Sequence, residues 1–235
     1  MTRLGLLLLA YVVPHLISQW LRGRSPWPYR FLRSAARIAG ADVRVVGPKP
    51  KPHSLLLSNH VSWMDILVLS SATGCAFVSK DRLGHPLIHW LADQNRTIYV
   101  DRAARKAVGS QVDTIRAALA RRQPVALFPE GTTGPGDHLL PFRSALLGAV
   151  APLPEGAWVQ PVAIDYGPLH REIAWFHEPA LHNILRVLGR KGRFHVTVRL
   201  LEHLPSANDR KVLAHLARER IAASLHASSS NPHRL

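Results

Sequence analysis

The sequence predicts an α/β domain preceded by an apolar, basic amino-terminal segment, and three observations point there. From Asp42 onward short apolar runs alternate with helical patterns, as strands separated by crossover helices do. The chain has 235 residues, 47% of them hydrophobic, which suits one domain with a full core and excludes a disordered polybasic tail. No acidic residue occurs before Asp42, whereas 30 lysines and arginines oppose 15 acids overall, a formal charge of +15. That charge calls for a polyanionic partner, and nucleic acid, an anionic membrane surface and an acidic substrate satisfy it alike. The single cysteine, Cys75, excludes an internal disulfide and a cysteine-based zinc site.

Taken in order, Leu4 to Ile17 is a nearly unbroken apolar run, shorter than the roughly 20 residues a helix needs to cross a bilayer. Pro14 predicts a kink or an end to that helix. Beyond it Trp20, Trp27, Tyr29 and Phe31 interleave with Arg22, Arg24, Arg30, Arg33 and Arg37, the composition of an interfacial segment on an anionic leaflet. A buried core helix and a secretory signal are the alternatives, and no small-x-small cleavage site follows the run. Residues 1–41 are therefore expected to associate with a membrane from its cytoplasmic face, residues 42–226 to form the domain, and residues 227–235 to fray. Strands are expected at Val43–Val46, Ser54–Ser58, Ala76–Ser79, Thr97–Val100, Val125–Phe128, Val159–Ile164 and Phe194–Leu200. Helices fall between most of them. The clearest are Arg105–Arg122, whose Val108, Val112, Ile115 and Leu119 share one face, and Asp209–His226.

Chemistry concentrates at the ends of the expected strands, where α/β folds keep their sites. After Ser54–Ser58 comes Asn59-His60-Val61-Ser62-Trp63-Met64-Asp65. His60 and Asp65 are five apart, about 140° around a regular helix, so one of them must stand outside it. With Ser62 as cap, Asp65 is the third helical residue and its carboxylate turns back toward the loop, where it can fix an imidazole tautomer. The other ring nitrogen is then free to take a proton from a hydroxyl. Plain helix capping is the alternative reading. After Val125–Phe128 comes Pro129-Glu130-Gly131-Thr132-Thr133-Gly134. Here the proline ends the strand, the glycines permit close backbone approach, and Glu130 with the threonines offers hydrogen-bonding groups for a polyol or phosphate. Thr97-Ile98-Tyr99-Val100-Asp101-Arg102 ends in an arginine suited to a phosphate, with Lys80 ending the strand before it. Arg143 follows the loop, and Val159-Gln160-Pro161-Val162-Ala163-Ile164 completes the set.

In this order the blocks resemble the glycerolipid acyltransferase family typified by 1-acyl-sn-glycerol-3-phosphate acyltransferase. Its His-x-x-x-x-Asp block matches His60 and Asp65, its arginine block resembles TIYVDR with Arg102, its Phe-Pro-Glu-Gly block is Phe128 to Gly131, and its last block is similar to VQPVAI. The resemblance implies a membrane-docked helix-and-sheet domain that moves a fatty acyl group from a thioester to a lysolipid hydroxyl. His60 would be the base and Asp65 its orienting partner. Arg102, Glu130 and Gly131, with Thr132, Lys80 and Arg143, would hold the acceptor. Backbone N–H groups near the start of the His60 helix would be oxyanion donors. The donor would be acyl-CoA or acyl carrier protein as a co-substrate, with no metal, no bound cofactor and no nucleic-acid partner. Many members carry arginine where Thr133 stands, and often glycine where Arg96 stands. Lysophosphatidic acid ranks first as acceptor and a lyso-ornithine lipid stands as the alternative, at the cytoplasmic face of the inner membrane.

Two classes compete with this reading. A metal-dependent hydrolase could use His60, Asp65 and Glu130 as ligands, although their spacing is not that of a His-Glu-x-x-His helix. A basic module on nucleic acid has the charge but none of the fold signatures.

Overall fold

Seven strands lie at or within two residues of the expected runs and join in one sheet. The computed structural model describes residues 2–22, 25–80, 85–100, 108–147, 153–205 and 209–229. The strands are β1 (Ala41–Val46), β2 (Ser54–Ser58), β3 (Ala76–Lys80), β4 (Ile98–Val100), β5 (Val125–Leu127), β6 (Trp158–Asp165) and β7 (Phe194–Leu200). Their spatial order is β1-β7-β6-β2-β5-β3-β4, and every neighbouring pair is parallel except β6 with β7. The parallel strands read as apolar runs because both faces are covered. Along β2, Leu56 belongs to one core cluster, with Met64, Val68 and Phe194, while Leu55 and Leu57 belong to the other, with Ile115, Leu119 and Leu213.

The helices are α1 (Thr2–Arg22), α2 (Trp27–Ile38), α3 (Met64–Thr73), α4 (Pro86–Gln94), α5 (Val108–Leu119), α6 (His170–Ile173), α7 (Ala180–Leu188) and α8 (Arg210–Ser229). The expected helix Asp209–His226 thus continues to Ser229, past the point where fraying was expected. Pro161 sits in a central strand, a place that normally needs an N–H for the ladder. Its carbonyl accepts from Leu201 N on the β7 side, so its missing N–H faces that side too, beyond the last β6–β7 pair, Val162 with Leu200.

At the amino terminus the structure corrects two expectations. Helix α1 neither stops nor shortens at Pro14; it runs 21 residues and is long and apolar enough, by length and composition, to cross a membrane. Contacts on both sides of the proline hold it together. The Tyr11 hydroxyl bonds that of Ser34, the Trp27 indole N–H donates to the Ser18 hydroxyl, and the His15 imidazole bridges the Ser25 hydroxyl to the Gln94 side-chain oxygen of α4. Such contacts offset the roughly 3 kcal/mol that a helix-interior proline costs. Nor is α1 a core helix, because only 6% of its apolar stretch is buried. Leu6, Leu9, Val13, Ile17, Trp20 and Leu21 all face outward.

Candidate active site

The parallel strands β2, β3, β5 and β6 end on one rim of the sheet, and the candidate residues gather there. β2 ends at Ser58, and Asn59 then turns its side-chain amide sideways onto β6. Its Oδ1 accepts from Ile164 N at 2.8 Å and its Nδ2 donates to Ile164 O at 2.9 Å. That double bond-pair fixes the end of β6, and Tyr166 follows it directly.

His60 stands outside α3 and Asp65 within its first turn, as their spacing requires. The fully buried Asp65 carboxylate accepts from His60 Nδ1 at 2.8 Å, from Val61 N at 2.6 Å and from Ser62 N at 2.8 Å, all on Oδ2. Oδ1 accepts from the Tyr166 hydroxyl at 2.6 Å. Because a carboxylate only accepts, Nδ1 carries the ring proton and Nε2 presents a lone pair. The expected capping is half realised: the carboxylate takes the Ser62 N–H, but the Ser62 hydroxyl reaches Met64 N at 3.4 Å. The expected oxyanion role of the nearby backbone is not supported for Val61 and Ser62, whose N–H groups Asp65 already occupies. Burial and the adjacent Asp65 charge raise the Tyr166 phenol well above its ordinary range, so it remains a donor.

The loop after β5 grips His60 from the other side. Glu130 is only 2% exposed; its Oε1 accepts from His60 N at 2.7 Å and its Oε2 from Leu140 N at 2.9 Å. Burial pushes its carboxyl up to about 7, although those two N–H donors pull the other way. Gly134 N donates to His60 O at 2.8 Å, so both backbone groups of His60 are held by this loop. Gly131 turns the chain at a φ of +74°, which a side chain rarely tolerates. At Gly134 an added Cβ would lie 3.2 Å from Glu130 Oε2 and against Leu140. The His60 ring stacks on Phe128, centroids 4.0 Å apart and planes 12° from parallel, which fixes its plane as Asp65 fixes its edge. Among the described residues no group bonds His60 Nε2.

His60, Asn59, Glu130 and Tyr166 line a cleft of about 690 Å³ that extends to the carboxy-terminal end of α8. Gly131 and the exposed Thr132 flank Glu130 in the turn, and Arg143, also exposed, is tied to it through a bond from its N–H to Pro129 O. The Thr133 hydroxyl donates to Trp175 O at 2.6 Å. Lys80 ends β3 on the same rim, but its side chain lies outside the described residues, as does the whole of Arg102. Cys75 is fully buried in the core cluster of α3, where burial pushes its thiol up to about 12, and it takes no part in the cleft. Among the described residues no three His, Cys, Asp or Glu side chains converge to hold a metal ion. Asn59 and Tyr166 were not singled out as functional from the sequence; Tyr166 directly follows the VQPVAI block and Asp165, the only local hint of its place.

Comparisons with known proteins bear on the family and the fold. The family model described as Acyltransferase matches residues 42–165. The lyso-ornithine lipid O-acyltransferase of Brucella abortus is 34% identical, across 94% of this chain and 89% of its own length. That of Rhizobium meliloti is 40% identical over 68% of this chain; the aligned stretch is 57% of its length, so the chain spans little more than half of that relative. The crystal structure of the 1-acyl-sn-glycerophosphate acyltransferase of Thermotoga maritima superposes with a TM-score of 0.60 over 96% of both chains at 22% identity, a likeness of fold.

Proposed function

The chain belongs to the glycerolipid acyltransferase family, and from that membership we propose that it acylates the free hydroxyl of a lyso-ornithine lipid from an acyl thioester. The observation that carries the choice of acceptor is the likeness to the Brucella enzyme along 94% of the chain, flanks included. Thr133 agrees with it. Many family members have arginine there, whereas here a short hydroxyl side chain is spent on Trp175 O, leaving no cation at that point of the loop. Lysophosphatidic acid is the second reading, supported by the charge of +15 and the order of the motifs.

In the mechanism His60 Nε2 removes the acceptor hydroxyl's proton as its oxygen bonds to the thioester carbonyl carbon. Collapse of the tetrahedral intermediate breaks the carbon–sulfur bond, and the imidazolium returns the proton to the departing thiolate of coenzyme A or acyl carrier protein. Such base catalysis contributes about 10² to 10⁴ in rate. Asp65 holds the tautomer and stabilises the imidazolium, and Tyr166 holds Asp65. Glu130 acts by fixing the backbone of His60. Gly131, Thr132 and Arg143, with Lys80 and Arg102, are assigned to the acceptor and to the donor's phosphate. Helix α1 supports attachment to the inner membrane, with the domain on its cytoplasmic face.

Purified protein incubated with an acyl thioester and either acceptor, beside His60→Ala, tests this. Ornithine lipid formed by the parent and absent with the variant is expected. Product from lysophosphatidic acid alone would move the substrate, and equal activity in the variant would remove His60 as the base.

A further inference from the structure

Two side chains that line the cleft each hold a buried polar atom with no partner among the described residues: Nε of Arg199 and Nε2 of His170. They are of opposite kind. Arg199, on β7, donates through Nη2 to Asp165 Oδ2 at 3.2 Å, and its Nε–H is a further donor left over. His170 Nδ1 lies 2.9 Å from Gly167 O, an acceptor, so Nδ1 carries the proton and Nε2 is an acceptor left over. Asp165, whose Oδ1 also takes Gly167 N at 2.8 Å, lies on the same wall. An unmet buried donor or acceptor costs free energy, which a ligand that meets both would recover.

We propose that Arg199, His170 and Asp165 form a subsite for a zwitterionic amino-acid headgroup, whose carboxylate pairs with Arg199 and whose ammonium meets His170 Nε2 and Asp165. The assignment rests on the lyso-ornithine reading above and gives it a structural basis. Ornithine linked through its α-nitrogen carries one carboxylate and one terminal ammonium, one acceptor group and one donor group for the two orphan atoms. A phosphate monoester offers acceptors alone when fully ionised, and would set its charge against the Asp165 carboxylate and the His170 lone pair. Arg199, His170 and Asp165 all line the cleft, and the two orphan atoms, covered in the free protein, meet a ligand as their side chains turn. The subsite shares the cleft with His60 but is built from strand β7, the end of β6 and the start of α6, not from the motif loops.

The test uses the whole protein and three related acceptors, with lysophosphatidic acid run beside them: the lyso-ornithine lipid, its carboxamide, and its norvaline counterpart, in which the terminal ammonium is gone. Unaltered protein is expected to show KM raised about tenfold for each analogue, the loss falling on KM rather than kcat. Arg199→Gln is expected to raise KM about tenfold for the parent acceptor and little for the carboxamide, and His170→Leu to raise it for the parent and little for the norvaline form. Equal KM for all three acceptors on the unaltered protein overturns the subsite even if both variants fail to fold. So does a variant that loses equally on every acceptor. If the unaltered protein acylates lysophosphatidic acid and none of the ornithine acceptors, the reading beneath the subsite falls and the subsite with it. Acylation of all three with no discrimination overturns the subsite alone.

Discussion

Tyr166 reaches Asp65 across 101 residues of chain and donates to Oδ1 at 2.6 Å, while His60 holds the opposite oxygen at 2.8 Å. The proposed base is therefore one end of a buried His–Asp–Tyr chain, with its far end standing just after β6. Tyr166→Phe keeps the ring and removes the donor, leaving a buried carboxylate oxygen short of a partner at a cost of about 1–3 kcal/mol. We expect kcat to fall about tenfold with KM little changed, and a lower melting temperature. Unchanged kcat in a destabilised variant would make Tyr166 a packing residue only.

Asp65→Asn keeps the shape and removes the charge that favours the imidazolium. Its amide oxygen can take the three donors that meet Oδ2, but its amide nitrogen then faces the Tyr166 hydroxyl, which donates to Oδ1 in the parent. Turnover should fall by about 10² or more, comparably to His60→Ala, and the double variant should be little worse than either single one. Additive losses would mean that the two residues do not act as a unit.

Glu130 makes stability depend on pH. Its carboxyl is raised from an ordinary 4.5 to about 7, so between those values the folded protein keeps a proton that the unfolded chain has released. The stability it contributes is fully present below about pH 4.5 and is lost as pH rises through 7, on the order of 3 kcal/mol in all. Glu130→Gln cannot ionise, so its urea midpoint should fall less between pH 5 and pH 8 than that of the parent. Parallel pH profiles for the two proteins would contradict this.

The outward face of α1 should govern attachment to lipid. Leu9 and Val13 are 70% and 60% exposed on the solvent side, so glutamates there disturb no packing. We expect Leu9→Glu with Val13→Glu to abolish flotation with anionic vesicles while the melting temperature holds. Retained flotation would shift the attachment to another surface.

The strands and the His60–Asp65 pair were legible because their causes are local. Doubly covered parallel strands must be apolar throughout, and five residues at a strand-to-helix junction suffice to bring imidazole and carboxylate together. What was missed depends on partners far along the chain. Pro14 reads as a break until His15 and Tyr11 are seen tied to Ser25, Gln94 and Ser34. Glu130 reads as a free carboxylate until His60 N and Leu140 N occupy its oxygens. The N–H groups of Val61 and Ser62 look available for an oxyanion, and nothing in their own sequence shows that Asp65 has turned back to take both.

The bridge from His15 to Gln94 fastens α1 to the body of the domain, so under the proposed attachment the cleft would be carried at a set height above the surface that the helix enters. An enzyme moored in this way meets its acceptor as a mole fraction in two dimensions, not as a concentration in bulk solution. Diluting the acceptor with inert lipid should slow it, whereas adding more vesicles of unchanged composition should not, and its apparent KM belongs in mole per cent of the surface.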